Sequence, residues 1–403
     1  MKVLQINKFF YPRGGAETYL LSLISLLQKN GQPVIGFSQS NKNNLKIAGE
    51  EFFIDEIQLD KFYLKNIFKI GRIFWSFQAK KNIKKLINQE NADLVHLHNI
   101  YHQISPSILP AIKKAGLPIV MTVHDFKLIN PSYTLWAVKN QKSGKSFLAR
   151  LLMTLEYLFH KSIRVYQKNV DLFIAPSEFV KNKLVAAGFA MNKIIVLPHF
   201  VELNNDYNNI EEKNYIVAFG RLDESKGYDI LIRAWAEIKS DINLKIIGSG
   251  SKEKILKKLS RDLKIENKVE FIPQVDKKEL AAIISQSLFA VFPSLVHETF
   301  GLGIIESYFW GKPVVASKVG AFSEIINSQT GLLCKPGDIS ELKQSLETLI
   351  GNKDLRLELG QNAKKYAEEN FTSQEHLAKI TAIYNSLIQE VSTKKIPANL
   401  EKI

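Results

Sequence analysis

What most constrains the fold of this chain is a rhythm. Short β-branched runs, KVLQIN, PVIGF, ADLVHLH, PIVMTVH, DLFIAP and KIIVLP, recur through residues 1–200, separated by stretches with helical patterning. Strands that alternate with helices pair in parallel, because a parallel neighbour needs a long crossover and the helix supplies it. The rhythm restarts near residue 214 with NYIVAFG, NLKIIGS, VEFIP, SLFAVFP and PVVASK. The expected fold class is α/β, two doubly wound (Rossmann-like) domains facing an interdomain cleft. At 403 residues the chain exceeds one ordinary core, and two domains of roughly 200 residues each fit the same division. Ligands of such sheets sit beyond the carboxyl ends of the strands, so the loops there are the ones to inspect.

The charge divides the chain at the same place. Residues 1–205 hold 27 Lys and Arg against 13 Asp and Glu, whereas residues 206–403 hold 27 of each, so the whole excess of +14 lies in the first half. The polar run NNDYNNIEEKN marks the boundary. The expected domains are 1–205, 206–375, and a C-terminal helix and tail over 376–403 that returns toward the first domain. Such asymmetry gives the first domain an anionic partner.

Several classes are excluded early. The stretch YLLSLISLL at 19–27 falls well short of the roughly 18 to 20 apolar residues that span a bilayer. The opening MKVLQINKFF reaches Asn7 and Lys8 before a signal-peptide core forms, so a cytoplasmic location is expected. The single cysteine, Cys334, excludes an intramolecular disulfide. His96 and His98 share one face at a strand end but lack a third ligand, and no metal is assigned.

Two stretches carry chemistry. In HETFGLGIIE, 297–306, the preceding SLFAVFPS reads as a strand and GLGIIESYFW as a helix. Glu298 then lies in the loop at a strand's carboxyl end, and Glu306 about two turns into the helix. Phe300, Gly301 and Leu302 offer backbone N–H groups at the helix N-terminus, where phosphate oxygens bind readily. One carboxylate on each side of a phosphate, each accepting from hydroxyls, describes a nucleotide sugar; taken alone, a capping carboxylate and a solvated helix residue are the plain alternative. In GRLDESKG, 220–227, Arg221 and Lys226 share one strand-to-helix loop, where a forked guanidinium and a point-charge ammonium suit a diphosphate.

HETFGLGIIE and GRLDESKG, with GGAE at 14–17, VHD at 123–125, APSEF at 175–179, IIGSG at 246–250 and ASKVGAFSEII at 316–326, resemble the retaining family-4 glycosyltransferases of the GT-B fold over nearly the whole chain. The resemblance implies that Glu298 contacts donor-sugar hydroxyls and Glu306 the ribose, that Arg221 and Lys226 hold the diphosphate beside Gly220, and that Phe300 and Gly301 offer amides near the sugar. Gly15 brings a helix N-terminus to the phosphate and acceptor, and His124 lines the cleft beside the transferred sugar. His199, in LPHFVE, stands where the family shows Asn and receives no role. Front-side transfer with retention is implied, without a protein nucleophile or cofactor. No Asp-x-Asp triplet occurs, in keeping with metal-independent transfer.

The N-terminal domain then binds the acceptor, and this one is similar to bacterial enzymes that build surface polysaccharide on lipid carriers. UDP and GDP donors are both open. Lys61, Lys65, Lys69, Arg72, Lys80, Lys81, Lys84 and Lys85, with Ile67, Ile70, Phe74 and Phe77 at helical spacing, read as a basic amphipathic helix. A second such stretch, 145–168, sets Lys145, Arg150, Lys161, Arg164 and Lys168 beside Leu148, Leu151, Leu152, Leu155 and Phe159. A peripheral association with an anionic membrane follows, each basic residue near the surface contributing about 1 kcal/mol. The rivals are a nucleotide-sugar epimerase of the same fold, which needs no acceptor, and a glycoside hydrolase, which needs both carboxylates around one bond. A nucleic-acid binder suits the charge, but no nucleic-acid motif is present and no nucleic-acid partner is assigned.

Overall fold

The computed structural model describes residues 1–57, 67–138, 147–202 and 211–394. The chain forms two compact units. The first comprises Met1–Tyr133, Ser143–Pro198 and Gln374–Ile403, the second Thr134–Lys142 and His199–Ser373. The boundary expected at 205 falls outside the described residues.

Each unit is built on a six-stranded parallel sheet. In the first, β1 (Val3–Ile6), β2 (Val34–Phe37), β3 (Leu94–Leu97), β4 (Ile119–Thr122), β5 (Leu172–Ala175) and β6 (Ile194–Val196) take the order β2-β1-β3-β4-β5-β6. In the second, β7 (Tyr215–Phe219), β8 (Asn243–Ile247), β9 (Val269–Ile272), β10 (Ala290–Phe292), β11 (Val314–Ser317) and β12 (Gly331–Cys334) take the order β12-β11-β10-β7-β8-β9. The central strands are buried along their length because helices cover both faces, as their unbroken apolar runs require. Helix Gly15–Lys29 shows the complementary pattern, burying Tyr19, Leu20, Leu23, Ile24 and Leu27 at three- and four-residue spacing.

The strand order fixes where a ligand can enter. In the second unit the chain runs from β7 outward to β8 and β9, then returns to the other side of β7 with β10. The loops after β7 and β10 therefore part at the topological switch point, the place where doubly wound sheets open a crevice. Those loops carry GRLDESKG and HETFG.

Four expectations need correction. Strand β12, GLLC, gave no signal in the sequence, since it opens on glycine and is short. The basic stretch 61–85 is not one helix. Helices Ile67–Phe74 and Phe77–Glu90 are separate, because Ser76 caps the second by accepting from Ala79 N. Phe77 is exposed rather than packed, and Arg72 is half-buried with Nη2 donating to Asp55 O. Lys61 and Lys65 lie outside the described residues. The stretch 145–168 likewise breaks, into Phe147–Ser162 and Val165–Asn169, where Arg164 adopts a left-handed φ of 52°. Its outward face is apolar: Leu148, Leu151, Leu155 and Phe159 are exposed, while Glu156 is buried. Finally, helix Leu302–Phe309 begins only four residues before Glu306, which lies just over one turn into it, not two.

Cys334 closes β12. Its thiol is buried and donates to Ala316 O at 3.5 Å, and burial pushes its pKa up to about 12. Among the described residues no helix is long and apolar enough to cross a membrane.

Candidate active site

The second unit holds its strand-end loops against one another through the backbone. Gly220 N donates to Ile247 O at 3.0 Å and Leu222 N to Ser249 O at 3.0 Å, so the loop after β7 follows the loop after β8. Leu295 N donates to Ser225 O at 2.8 Å, joining it to the loop after β10. Gly227 sits at φ +67°, and a Cβ there would lie 2.0 Å from Pro293 O. Gly320, at φ +51°, is under the same constraint from Glu298 O, 2.3 Å from the place of its Cβ. Only glycine meets both demands, and each glycine sits beside a loop that carries a charge.

Lys226 and Glu298 meet there. Lys226 Nζ donates to Glu298 Oε1 at 2.7 Å, and Ser294 Oγ donates to the same oxygen. Both side chains are partly exposed, 27% for Lys226 and 20% for Glu298. An ammonium has three N–H donors and a carboxylate two oxygens. The pair therefore fixes both groups and leaves capacity on each, two donors on Lys226 and Oε2 on Glu298. Asp223 shapes the loop by capping the turn Glu224–Lys226, accepting from Ser225 N at 3.0 Å.

Other expected residues fall into place differently. Arg221 is largely exposed, its Nη2 3.6 Å from Asp223 Oδ2, and it does not join the Lys226–Glu298 pair. The amide of Gly220 is already given to Ile247, so that residue contributes conformation and no donor. The side chain of Phe300 is buried, its ring edge-on to His199 and Phe371 at 5.2 and 5.8 Å. Gly301 is the N-cap of helix Leu302–Phe309, whose first N–H groups have no intrahelical acceptor. Glu306 is half-buried, not solvated, and its carboxylate takes no hydrogen bond from the described residues. Burial pushes its pKa up to about 7, with the charge of Lys277 opposing.

In the first unit His124 follows β4, and its Nε2 lies 2.8 Å from His98 Nδ1, the two rings stacked at 5.1 Å. Gln5 Oε1 is 2.8 Å from His98 Nε2. Burial, then the charge of Lys8, lowers the pKa of His124 to about 3, so the ring is neutral. Burial raises that of Asp125 to about 6 against Lys8 and Lys127. Gly15 opens helix Gly15–Lys29 after β1, beside the buried Glu17. The ring nitrogens of His96 are engaged by Tyr384 and Thr122, at 2.7 and 2.8 Å.

Sequence reasoning missed Ser294 and Lys277, and weighed His98 as a metal ligand rather than as the neighbour of His124. Ser294 stands four residues before Glu298, a readable spacing. Lys277 comes from a separate helix, Lys277–Gln286, and gave no local signal. A further element also escaped notice: Trp136 forms an antiparallel bridge with Val296, and His297 N donates to Leu135 O at 2.7 Å. A segment remote in sequence thus braces the backbone just before Glu298.

Comparison with known proteins gives this arrangement a family. The description "Glycosyltransferase Family 4" matches residues 13–205, and "Glycosyl transferases group 1" matches residues 201–366. An uncharacterized glycosyltransferase of Haemophilus influenzae is 32% identical over 370 residues, 88% of this chain and 92% of that one. The O-antigen biosynthesis glycosyltransferase WclY of Escherichia coli is 24% identical, over 87% of this chain and 92% of its own. Among solved structures, Anabaena HepE in complex with UDP-glucose superposes with a TM-score of 0.68 at 20% identity, over 96% of this chain and 100% of that one. The two parallel-sheet units are those of the GT-B fold, and the chain belongs to the group 1, family 4 glycosyltransferases.

Proposed function

We propose that the protein transfers a glycosyl group from a nucleoside-diphosphate sugar to a hydroxyl of a lipid-linked saccharide, with retention at the anomeric carbon, in surface polysaccharide synthesis. The observation that carries this reading is the Lys226–Glu298 pair at the switch point, anchored on one carboxylate oxygen. Its remaining donors suit phosphate oxygens and its remaining acceptor suits sugar hydroxyls, side by side as they are in a sugar diphosphate. The UDP-glucose complex of HepE supports this donor class, and the O-antigen role of WclY supports the product class.

The roles then follow from charge. Lys226 and Arg221 neutralise the diphosphate as it departs. The amides of Phe300 and Gly301 and the helix dipole behind them add to the same field. Glu298 Oε2 accepts from donor-sugar hydroxyls and Glu306 from the ribose. In the first unit, neutral His124 is assigned to the transferred sugar and Gly15 to the phosphate. The acceptor oxygen bonds to the anomeric carbon on the face the diphosphate leaves. The bond to the phosphate oxygen breaks, and that oxygen receives the acceptor's proton. With this chain's own cations on the diphosphate, a metal chelator is expected to leave the rate unchanged.

A lipid-linked acceptor places the enzyme on the cytoplasmic face of the membrane as a peripheral protein. The exposed Lys81, Lys84 and Lys85 of helix Phe77–Glu90 contribute attraction to anionic lipid. The decisive experiment is a thermal-shift screen of nucleotide sugars, since a bound donor raises the melting temperature by mass action. Mass spectrometry and anomeric NMR of the transfer products follow. An inverted product, or no transfer from any stabilising donor, sinks the reading.

A further inference from the structure

We propose that helix Phe147–Ser162 is the element that inserts into the bilayer, through a face that the fold holds apolar side outward. Resting on the membrane-bound acceptor of the function proposed above, this assigns the attachment to a surface. A helix on a globular protein ordinarily buries its apolar stripe. This one does the reverse. Phe147, Leu148, Leu151, Leu155, Leu158 and Phe159 are between 38% and 74% exposed. At roughly 100° per residue they fall within an arc of roughly 120°. The opposite side is buried and carries Met153, Glu156 and His160.

The polar groups beneath set this rotation. Lys127 Nζ lies 2.8 Å and His102 Nδ1 3.1 Å from Glu156 Oε2. Tyr157 Oη donates to Ile129 O at 3.1 Å, and His160 Nε2 lies 2.8 Å from Phe74 O. Rolling the helix to cover its leucines would carry Glu156 away from Lys127 and leave a buried ammonium without its counter-ion. The outward face is thus built in.

Charge selects the occupant. Glu156 is the sole acid between residues 147 and 168, and it is buried, whereas Arg150, Lys161, Arg164 and Lys168 are exposed. Arg150 and Lys161 fall just beyond one edge of the apolar arc. An apolar stripe with cations along one edge and no exposed acid in the helix complements anionic headgroups over acyl chains. A second copy would set like charges edge to edge. The helix Phe77–Glu90, by contrast, exposes one large apolar side chain, Phe77, and contributes charge rather than depth.

The test is co-sedimentation of the full chain with phosphatidylglycerol–phosphatidylcholine vesicles at low salt and at about 0.5 M salt, where charge attraction is screened within a few ångströms. The wild type is compared with Leu151→Ser/Leu155→Ser/Leu158→Ser and with Lys81→Ser/Lys84→Ser/Lys85→Ser. All six positions are surface ones, and an unchanged melting temperature checks the fold. The expected result is that the wild type and the lysine variant stay bound at high salt, while the leucine variant partitions at least about ten-fold less at both salts. Salt-released wild type matched by the leucine variant overturns the insertion and leaves a charge-held peripheral enzyme standing. Wild type that ignores every vesicle yet glycosylates a water-soluble acceptor overturns the membrane reading with it. A wild-type dimer by light scattering that the leucine variant dissolves makes a second copy the occupant and overturns the proposal.

Discussion

Each unit contains a lysine–glutamate pair of nearly the same length, and the two serve opposite ends. In the first unit Lys127 and Glu156 meet at 2.8 Å with 3% and 0% of their side chains exposed. In the second, Lys226 and Glu298 meet at 2.7 Å with 27% and 20% exposed. The first pair is closed by protein: His102 and His160 approach Glu156, and Pro131 O accepts from Lys127 at 3.2 Å. Burial opposes the charge of Glu156, yet His102 and Lys127 hold its carboxyl below the usual range. The second pair stops halfway, with one oxygen anchored and the other outside these contacts. Enclosure turns a charge pair into a fastener; partial enclosure turns it into a receptor.

The comparison is most exposed to failure in stability. Glu156→Ala leaves Lys127 buried without its counter-ion and should cost about 3 to 5 kcal/mol in chemical denaturation, whereas Glu298→Ala should cost about 1 kcal/mol or less. Equal losses would erase the distinction. In catalysis the order reverses. Lys226→Ala and Arg221→Ala should each lower turnover, more than donor affinity, by about 2 to 4 kcal/mol in the transition state. Steady-state kinetics with the identified donor checks this, and near-normal kcat in both variants removes the diphosphate clamp.

Glu306 sharpens the same contrast, as a partly enclosed carboxylate that accepts no hydrogen bond from the described residues. Its folded pKa of about 7 lies above the ordinary 4.5, so the fold prefers it protonated. Stability from this group is greatest below pH 4.5, declines as pH rises toward 7 and is constant above. The difference between wild type and Glu306→Gln should follow that window, with an amplitude of about 3 kcal/mol. A pH-independent difference would mean the carboxylate is solvated after all. Calorimetry with the product nucleoside diphosphate gives the smallest effect. Glu306→Ala should weaken binding by about 1 to 2 kcal/mol, while Glu298→Gln leaves it intact and abolishes transfer. Equal weakening in both variants contradicts separate ribose and sugar roles.

The sheets were legible because buried parallel strands such as PIVMT and PVVAS are nearly continuous apolar runs. GLLC was not, since glycine masks its start. The candidate site was legible where chemistry is local, as in Arg221 and Lys226 on one loop. Contacts across the switch point were hidden, because only the fold sets Lys226 against Glu298, seventy-two positions on. The apolar helix was legible only in part, for a related reason. Periodicity in Leu148, Leu151 and Leu155 reveals a stripe but not which way it faces, and Glu156 with Lys127 decides that from below.

Cys334 has a practical consequence. It is the chain's one cysteine, and a buried thiol with a pKa near 12 is almost entirely protonated in neutral buffer and closed to reagents. The native protein therefore has a silent background for maleimide chemistry. A cysteine introduced at Leu155 or at Lys84 would be uniquely addressable without first deleting anything, and a fluorophore or spin label placed there reports its own surroundings alone.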